Sequence, residues 1–275
     1  MPARYPERIV CLTEETTETL YLLGEERRIV GISGYTVRPP RARREKPRVS
    51  AFLSAKTERI LELKPDLVLG FSDLQADIAR DLAKAGLNMV IFNQRSVDEI
   101  LSMILTLSSI VGAGEKGRAL VESLESGLEQ IRKEARRFAR RPRVYFEEWD
   151  EPMISGIRWV SELVEIAGGE DVFAELSRSQ AASGRIVADP KIVVEKRPEV
   201  MLASWCGKKF RPERVVARPG WSEIPAVRNK QLHEIKSADI LQPGPAALTD
   251  GVRRIHEILR DFLSGGDRTR RPGGA

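Results

Sequence analysis

Two α/β lobes joined by one long helix is the fold class the sequence predicts. Three observations lead there. Short apolar runs alternate with amphipathic helices on both sides of the chain's midpoint, the pattern of a mostly parallel sheet covered on both faces. One long stretch, Glu115–Phe138, repeats Leu120, Leu124, Leu128, Ile131, Ala135 and Phe138 at helical spacing and fills its other sides with charge. Finally, Glu62–Ser72 (ELKPDLVLGFS) returns as Glu195–Trp205 (EKRPEVMLASW), an offset of 133 residues (195 minus 62). Each copy reads helix end, basic residue, Pro, acid, apolar strand, which suggests a duplicated architecture.

In chain order, Arg8–Leu12 is a buried strand, Thr13–Leu23 a helix ended by Gly24, and Arg28–Ile32 a second strand. Ser33–Val49 is a Pro- and Arg-rich loop, either solvated or attractive to an anion. Thr57–Leu63 is a helix stopped before Pro65, Leu67–Gly70 a strand, Asp73–Ala85 a helix ended by Gly86, and Met89–Phe92 a strand. Ser96 and Glu99 form a capping box that opens a helix through Ile110. The helix Glu115–Phe138 follows, about 36 Å long at 1.5 Å per residue. It reads as a strut between lobes or, in the plainer alternative, as a surface helix of a single domain. Beyond it come a strand at Arg143–Phe146, helices at Trp159–Ala167 and Lys191–Lys196, a strand at Val200–Ala203 and a last helix at Thr249–Leu263. The expected division is a first lobe over 1–95, connecting helices over 96–140, a second lobe over 141–265 and a disordered tail over 266–275.

Composition narrows the function. Hydrophobic residues make up 41% of the chain and charged residues 31%, which suits a globular protein. The net charge is +5, but Asp267, Arg268, Arg270 and Arg271 supply two of those charges (three Arg minus one Asp). The folded body is nearly balanced, so nucleic-acid binding is not expected. No apolar run is long enough to span a membrane, and membrane insertion is not expected. The chain opens MPARYPERIV without a secretory segment, so as encoded it is expected in the cytoplasm. Cys11 and Cys206 give no disulfide framework. With His233 and His256 the only histidines, a metal site is not expected, and no phosphate-binding Gly-rich loop occurs.

In parallel α/β lobes ligands bind beyond the C-terminal strand ends. Those ends carry Thr13, Glu14 and Glu15; Ser33 to Tyr35; Phe52; Phe71 and Ser72; Glu147 to Asp150; and Ser204 to Lys208. Trp149, Trp159 and Trp205 fall at or beside strand ends, with Trp221 in a later loop, and at least two of these are expected to line a ligand site rather than pack in a core. Glu147, Glu148, Asp150 and Glu151 form an acidic cluster. Lys208, Lys209, Arg211 and Arg214 form a basic one. Both read as ligand-facing or as solvated surface. Cys206 with His233 is a weak nucleophile–base alternative.

The segments RIVCLTEETTETLYLLG, RIVGISGYTVRPP, AKTERILELKPDLVLG, RVYFEEWDEPMISGIRWVSELVEIAGGEDVF and SADILQPGPAALTDGVRRIHEIL, in this order and spacing, resemble the helix-linked (class III) periplasmic binding proteins of ABC importers. That group carries cobalamin, haem and iron–siderophores, and the cobalamin-binding subgroup is the most similar. The resemblance implies two Rossmann-like lobes joined by one long α-helix, no catalysis, no intrinsic cofactor, and a large ligand of cobalamin or corrinoid type held between the lobes by aromatic side chains. By position it implies contacts from Tyr35, Phe52 and Phe71 in the first lobe and from Trp205 and Asp239 in the second. Glu148, Trp149 and Lys208 join them from the strand-end reading. Haem or an iron–siderophore, and a cytoplasmic enzyme or sensor on the same scaffold using Glu147, Glu148 and Cys206, are the alternatives. EEWDEP, SWCGKKFRPE and RPGWSEIP are not general features of the family and suggest a distinct subgroup. Members are otherwise periplasmic or extracellular and dock on a permease through one acid per lobe. Here those positions are Glu58 and Lys191, which argues against an ABC permease partner. A monomer is expected.

Overall fold

The computed structural model describes residues 5–52 and 54–268. The chain forms two compact units. One runs through Glu125 and includes Gln242–Ala246; the other comprises Ser126–Leu241 and the chain from Ala247 on.

The first unit contains, in order, β1 (Ile9–Cys11), α1 (Glu14–Leu22), β2 (Ile29–Ser33), α2 (Ala42–Glu45), β3 (Arg48–Ser50), α3 (Thr57–Glu62), β4 (Leu67–Phe71), α4 (Ala76–Lys84), β5 (Met89–Phe92) and α5 (Val97–Ile110). The strands pair in the order β3-β2-β1-β4-β5, all parallel. Strand order reverses between β1 and β4, and this switch point is where such a sheet opens a crevice at its C-terminal edge. Ile9, Val10 and Cys11 are fully buried, as expected of a central strand covered on both faces. Val10, Leu12, Val49, Ile60, Val68 and Leu82 form the core on one side. Ser96 caps α5 through the predicted box, its hydroxyl accepting from the Glu99 N–H.

The long helix is α6 (Gly114–Ala135). Its 22 residues span about 33 Å, and the division between the units falls inside it, at Glu125/Ser126. Its first half belongs to the first unit: Lys116 pairs with Glu25 at 3.0 Å, and Gly117 sits so close to Ser108 of α5 that a Cβ would fall 2.0 Å from the serine oxygen. Its second half belongs to the other unit. The first unit is therefore larger than the expected 1–95, since it takes α5, half of α6 and a returning segment, Gln242–Ala246.

The second unit adds β6 (Arg143–Asp150), β7 (Met153–Ser155), α7 (Arg158–Ile166), β8 (Glu170–Asp171), α8 (Pro190–Lys196), β9 (Val200–Ala203), α9 (Pro212–Val216), α10 (Pro225–Arg228), β10 (Leu232–Glu234), α11 (Ser237–Ile240) and α12 (Val252–Arg268). The sheet order is β10-β9-β6-β7, with β8 also on β6. β6 and β7 form an antiparallel hairpin, while β6, β9 and β10 are parallel. His256 of α12 stacks on Phe138 at 5.1 Å and lies between the Ala167 carbonyl and Glu134, so α12 holds the end of α6. α12 continues to Arg268, so the expected tail begins helical; its remainder, 269–275, lies outside the described residues.

The internal repeat has a structural counterpart. Lys64 after α3 and Arg197 after α8 occupy equivalent places, and both take positive φ, 45° and 47°. Each precedes a proline, which bars the right-handed helical conformation to the residue before it. The helix therefore stops, and the chain turns into β4 or β9.

At the centre of the second unit lies a buried ion pair. Glu147 on β6 is fully buried and accepts from Arg218 at 2.6 and 2.9 Å, from the Tyr145 hydroxyl at 3.0 Å and from the Trp205 indole at 3.0 Å. A buried charge stripped of its partner is far costlier than the pair is beneficial. Arg218→Met is expected to destabilise the protein by about 3–5 kcal/mol, and Glu147→Gln added to it recovers part of that loss. Chemical denaturation measures both, and an unchanged midpoint for Arg218→Met would contradict the assignment.

Candidate functional site

The C-terminal strand ends of the first unit converge beside the switch point. Tyr35, two residues past β2, is 56% exposed, with its N–H held by the Ser33 hydroxyl. Phe52 follows the adjoining strand β3 and is half-buried; its carbonyl accepts from Gln75 at 2.9 Å. Phe71 ends β4 but is buried, and the Arg95 guanidinium covers its ring at 4.6 Å. The aromatic positions of this unit thus divide: Tyr35 and Phe52 present surface, whereas Phe71 is covered.

Next to them, directly after β1, α1 begins with Glu14 and Glu15, and Glu18 follows one turn later; all three are buried. The sequence placed the first two at a strand end, but nothing in their pattern showed that they would be buried. Glu18 pairs with Arg38 at 3.0 Å and accepts from the Ala246 N–H at 3.1 Å. Glu15 accepts from the Thr13 hydroxyl at 2.6 Å, and among the described residues its second oxygen has no hydrogen-bond partner. Neither Glu14 nor Glu15 has an ion-pair partner among the described residues. Burial pushes the Glu14 carboxyl up to about 7 and the Glu15 carboxyl up to about 8. The neighbouring Cys11 thiol is pushed up to about 12 by burial, which makes it inert as a nucleophile.

The Arg-rich loop is less open than its composition suggests. Arg38 reaches Glu18, while Arg41 reaches Glu26 at 3.0 Å and lies over the Tyr21 ring at 4.7 Å. Glu18, Tyr21, Arg38 and Arg41, together with Leu22 and Pro39–Pro40, border a groove of about 380 Å³.

In the second unit the acidic cluster is met by cations of the same unit, partly by the basic cluster itself. The expected strand ends at Phe146, with Glu147–Asp150 beyond it; the hairpin with β7 extends β6 through them. Glu147 is enclosed by Arg218, Glu148 pairs with Arg185 at 2.5 Å, and Asp150 pairs with Lys208 and, at 3.1 Å, with Arg214. Lys208 lies over the Trp149 ring at 4.0 Å. Trp205, expected at a ligand surface, is 2% exposed and packs edge-on against Phe210 at 5.1 Å in a core with Tyr145 and Trp221. Trp159 is also buried and donates to the Ile240 carbonyl at 2.9 Å. Of the four tryptophans only Trp149 is partly exposed; the other indoles fill the core because their strand ends are roofed by further chain. Asp239 lies half-buried on α11, Glu58 is exposed in the first turn of α3, and Lys191 is exposed at the start of α8. His233 sits on β10 against Gln231. Among the described residues no cluster of His, Cys, Asp and Glu suits a metal ion, and no helix is long and apolar enough to cross a membrane.

The profile of a family described as "Periplasmic binding protein" matches residues 9–238. A vitamin B12-binding protein of Vibrio cholerae is 27% identical over 265 residues, covering 92% of this chain and 89% of that protein. The crystal structure of the periplasmic vitamin B12-binding protein of Vibrio cholerae superposes with a TM-score of 0.73 at 25% identity, covering 94% of this chain and 98% of the other. The periplasmic haem-binding protein of Roseiflexus sp. RS-1 gives 0.77 at 24% identity, covering 92% and 99%, a likeness of fold alone.

The buried carboxyls make stability depend on pH. Glu15 ionises near 4.5 in the unfolded chain and near 8 in the folded one. Above pH 4.5 the unfolded state gains by ionising while the native carboxyl stays protonated, so stability falls as pH rises to about 8. The loss attributable to Glu15 is on the order of 3 kcal/mol by pH 7. Unfolding free energy is expected to drop between pH 5 and pH 8, and Glu15→Gln to flatten that drop. Parallel curves for the two proteins would exclude Glu15 as its source.

Proposed function

The chain belongs to the periplasmic binding protein family, and from that membership we propose that it is a non-enzymatic binding protein for a corrinoid-type ligand, cobalamin first. The observation that carries this reading is the exposed Tyr35 ring and the half-buried Phe52, which follow the adjoining strands β2 and β3 at the sheet's C-terminal edge. Aromatic faces in such a place suit a large flat ligand, each stacking contact adding about 1 kcal/mol beyond burial. The Vibrio cholerae relatives, named for vitamin B12, support the same class. The enzyme alternative loses its two carboxylates, since Glu147 is sealed by Arg218 and Glu148 is held by Arg185, and keeps only the exposed Cys206. Haem is the runner-up, favoured by the Roseiflexus neighbour and disfavoured by the pairing of Arg38 and Arg41 with acids of their own unit. Glu58 and Lys191 are the docking positions in this reading. A lysine in the second position would repel a basic pocket, so docking on a permease is not expected of this chain.

The test is titration calorimetry with cobalamin, cobinamide and haem, together with the visible absorbance and mass of any ligand that co-purifies. Binding of a corrinoid is expected, with Tyr35→Ala weakening it about tenfold at unchanged thermal stability. Absence of heat with all three compounds would overturn the ligand class, and haem binding with no corrinoid binding would replace it.

A further inference from the structure

Buried polar atoms without partners concentrate along the C-terminal edge of the first unit's sheet. Glu15 Oε2 after β1, Thr36 Oγ1 after β2 and Gln94 Oε1 after β5 are each buried with no hydrogen bond. Ser50 Oγ, at the end of β3, is a further buried atom without a partner on this edge, whereas Glu18 takes the Ala246 N–H, and the Gln94 amide donates to the Pro243 carbonyl at 2.9 Å. The returning segment also brings the two ends of the row together. Pro243 holds Gln94, and the next residue, Gly244, abuts Glu15 so tightly that a Cβ there would lie 2.5 Å from that of Glu15. Leaving a buried polar group unpaired is costly, and such groups are normally matched by a protein atom, a water or a ligand. Orphans after β1, β2, β3 and β5, along the edge that contains the topological switch point, indicate a ligand.

The chemistry of the row restricts what that ligand presents. Thr36 can donate or accept, Gln94 Oε1 accepts, and Glu15, kept protonated by burial, offers a donor and an acceptor on one planar group. A planar carboxyl of that kind pairs at two points with a primary carboxamide. With a carboxylate it makes one hydrogen bond in place of two, and the ligand's negative charge would be buried beside Glu14, which has no paired cation, and beside Glu18, whose cation is already engaged.

Resting on the corrinoid reading above, we propose that Glu15, Thr36 and Gln94, with Glu14 beside them, form a subsite for primary carboxamide groups of the ligand and select against carboxylates in the same positions. The subsite distinguishes amide-bearing macrocycles from propionate-bearing ones such as haem. Tyr35 and Phe52 supply stacking, and this polar row supplies the discrimination.

The experiment compares dicyanocobinamide with dicyanocobyrinic acid, which carry carboxamides and carboxylates on the same corrin ring, by calorimetry at pH 7.5. Wild-type protein is expected to bind the amide form at least about tenfold more tightly. Glu15→Leu, of similar volume and suited to a buried position, is expected to cost the amide form about tenfold while thermal stability is retained, and Glu15→Gln to restore it. The double variant Glu14→Gln, Glu15→Gln is expected to narrow the gap by improving the acid. Equal or tighter binding of cobyrinic acid to the wild type, or an unchanged cobinamide affinity in Glu15→Leu, overturns the subsite and leaves the corrinoid reading standing. No heat from either compound or from cobalamin removes that reading, and the subsite with it.

Discussion

A carboxyl group taken out of water must be paired or protonated, and the two units solve this constraint in opposite ways. In the second, Glu147 and Asp150 lie on a buried strand and are met by Arg218, Lys208 and Arg214. The pairing is reciprocal and internal, and it fixes the β6–β7 hairpin against the chain that follows β9. In the first, Glu14 and Glu15 are buried without a paired cation, and desolvation raises them to about 7 and about 8, so that near pH 7 Glu15 is largely neutral and Glu14 about half so. The first arrangement completes a core. The second holds unmet hydrogen-bonding capacity at a strand end, at a cost in stability that a purely structural element has no reason to bear.

The backbone explains why that capacity sits where it does. A parallel sheet delivers its loops to one edge, and the reversal of strand order between β1 and β4 leaves the groups after β1 without a crossover packed directly over them. α1 starts there because Thr13 takes an extended conformation and Glu14 and Glu15 fill the first turn, where the helix dipole favours negative charge. The dipole lowers the cost of burying these carboxyls but does not abolish it. Gln242–Ala246 then closes over the same edge within this unit, with Gly244 leaving room for Glu15.

Much of the fold was legible because it follows local rules. Helix stops at Gly24 and Gly86, the capping box at Ser96, and the strand Val200–Ala203 each rest on a handful of neighbouring residues. The repeat was legible too, and its two left-handed residues, Lys64 and Arg197, show that the likeness reaches the backbone. Elements that depend on distant pairing were not legible. β3, β7 and β10 are three-residue edge strands whose existence rests on their neighbours, and they lack the continuous apolar run that marks the equally short central β1. The end of β6 was misplaced for the same reason, since its last residues are strand only because β7 folds back on them.

The site was less legible than the fold, and the tryptophans show why. Position after a strand says that a side chain lies at the sheet's edge; it does not say whether later chain covers that edge. In the second unit, α9, α10 and the turn at Trp221 cover it, so Trp205 and Trp221 become core, with the Trp205 indole N–H spent on Glu147. In the first unit Tyr35 stays open on the corresponding edge. Clusters of like charge mislead in a related way. EEWD and KKFRPER were each readable as ligand-facing, yet opposite clusters in one unit are each other's most available partners, and Asp150, Lys208 and Arg214 satisfy that attraction internally. The charges with ligand significance are those for which the fold supplies no opposite partner. Glu14 and Glu15 meet that criterion, although in the sequence they are only two acids among forty.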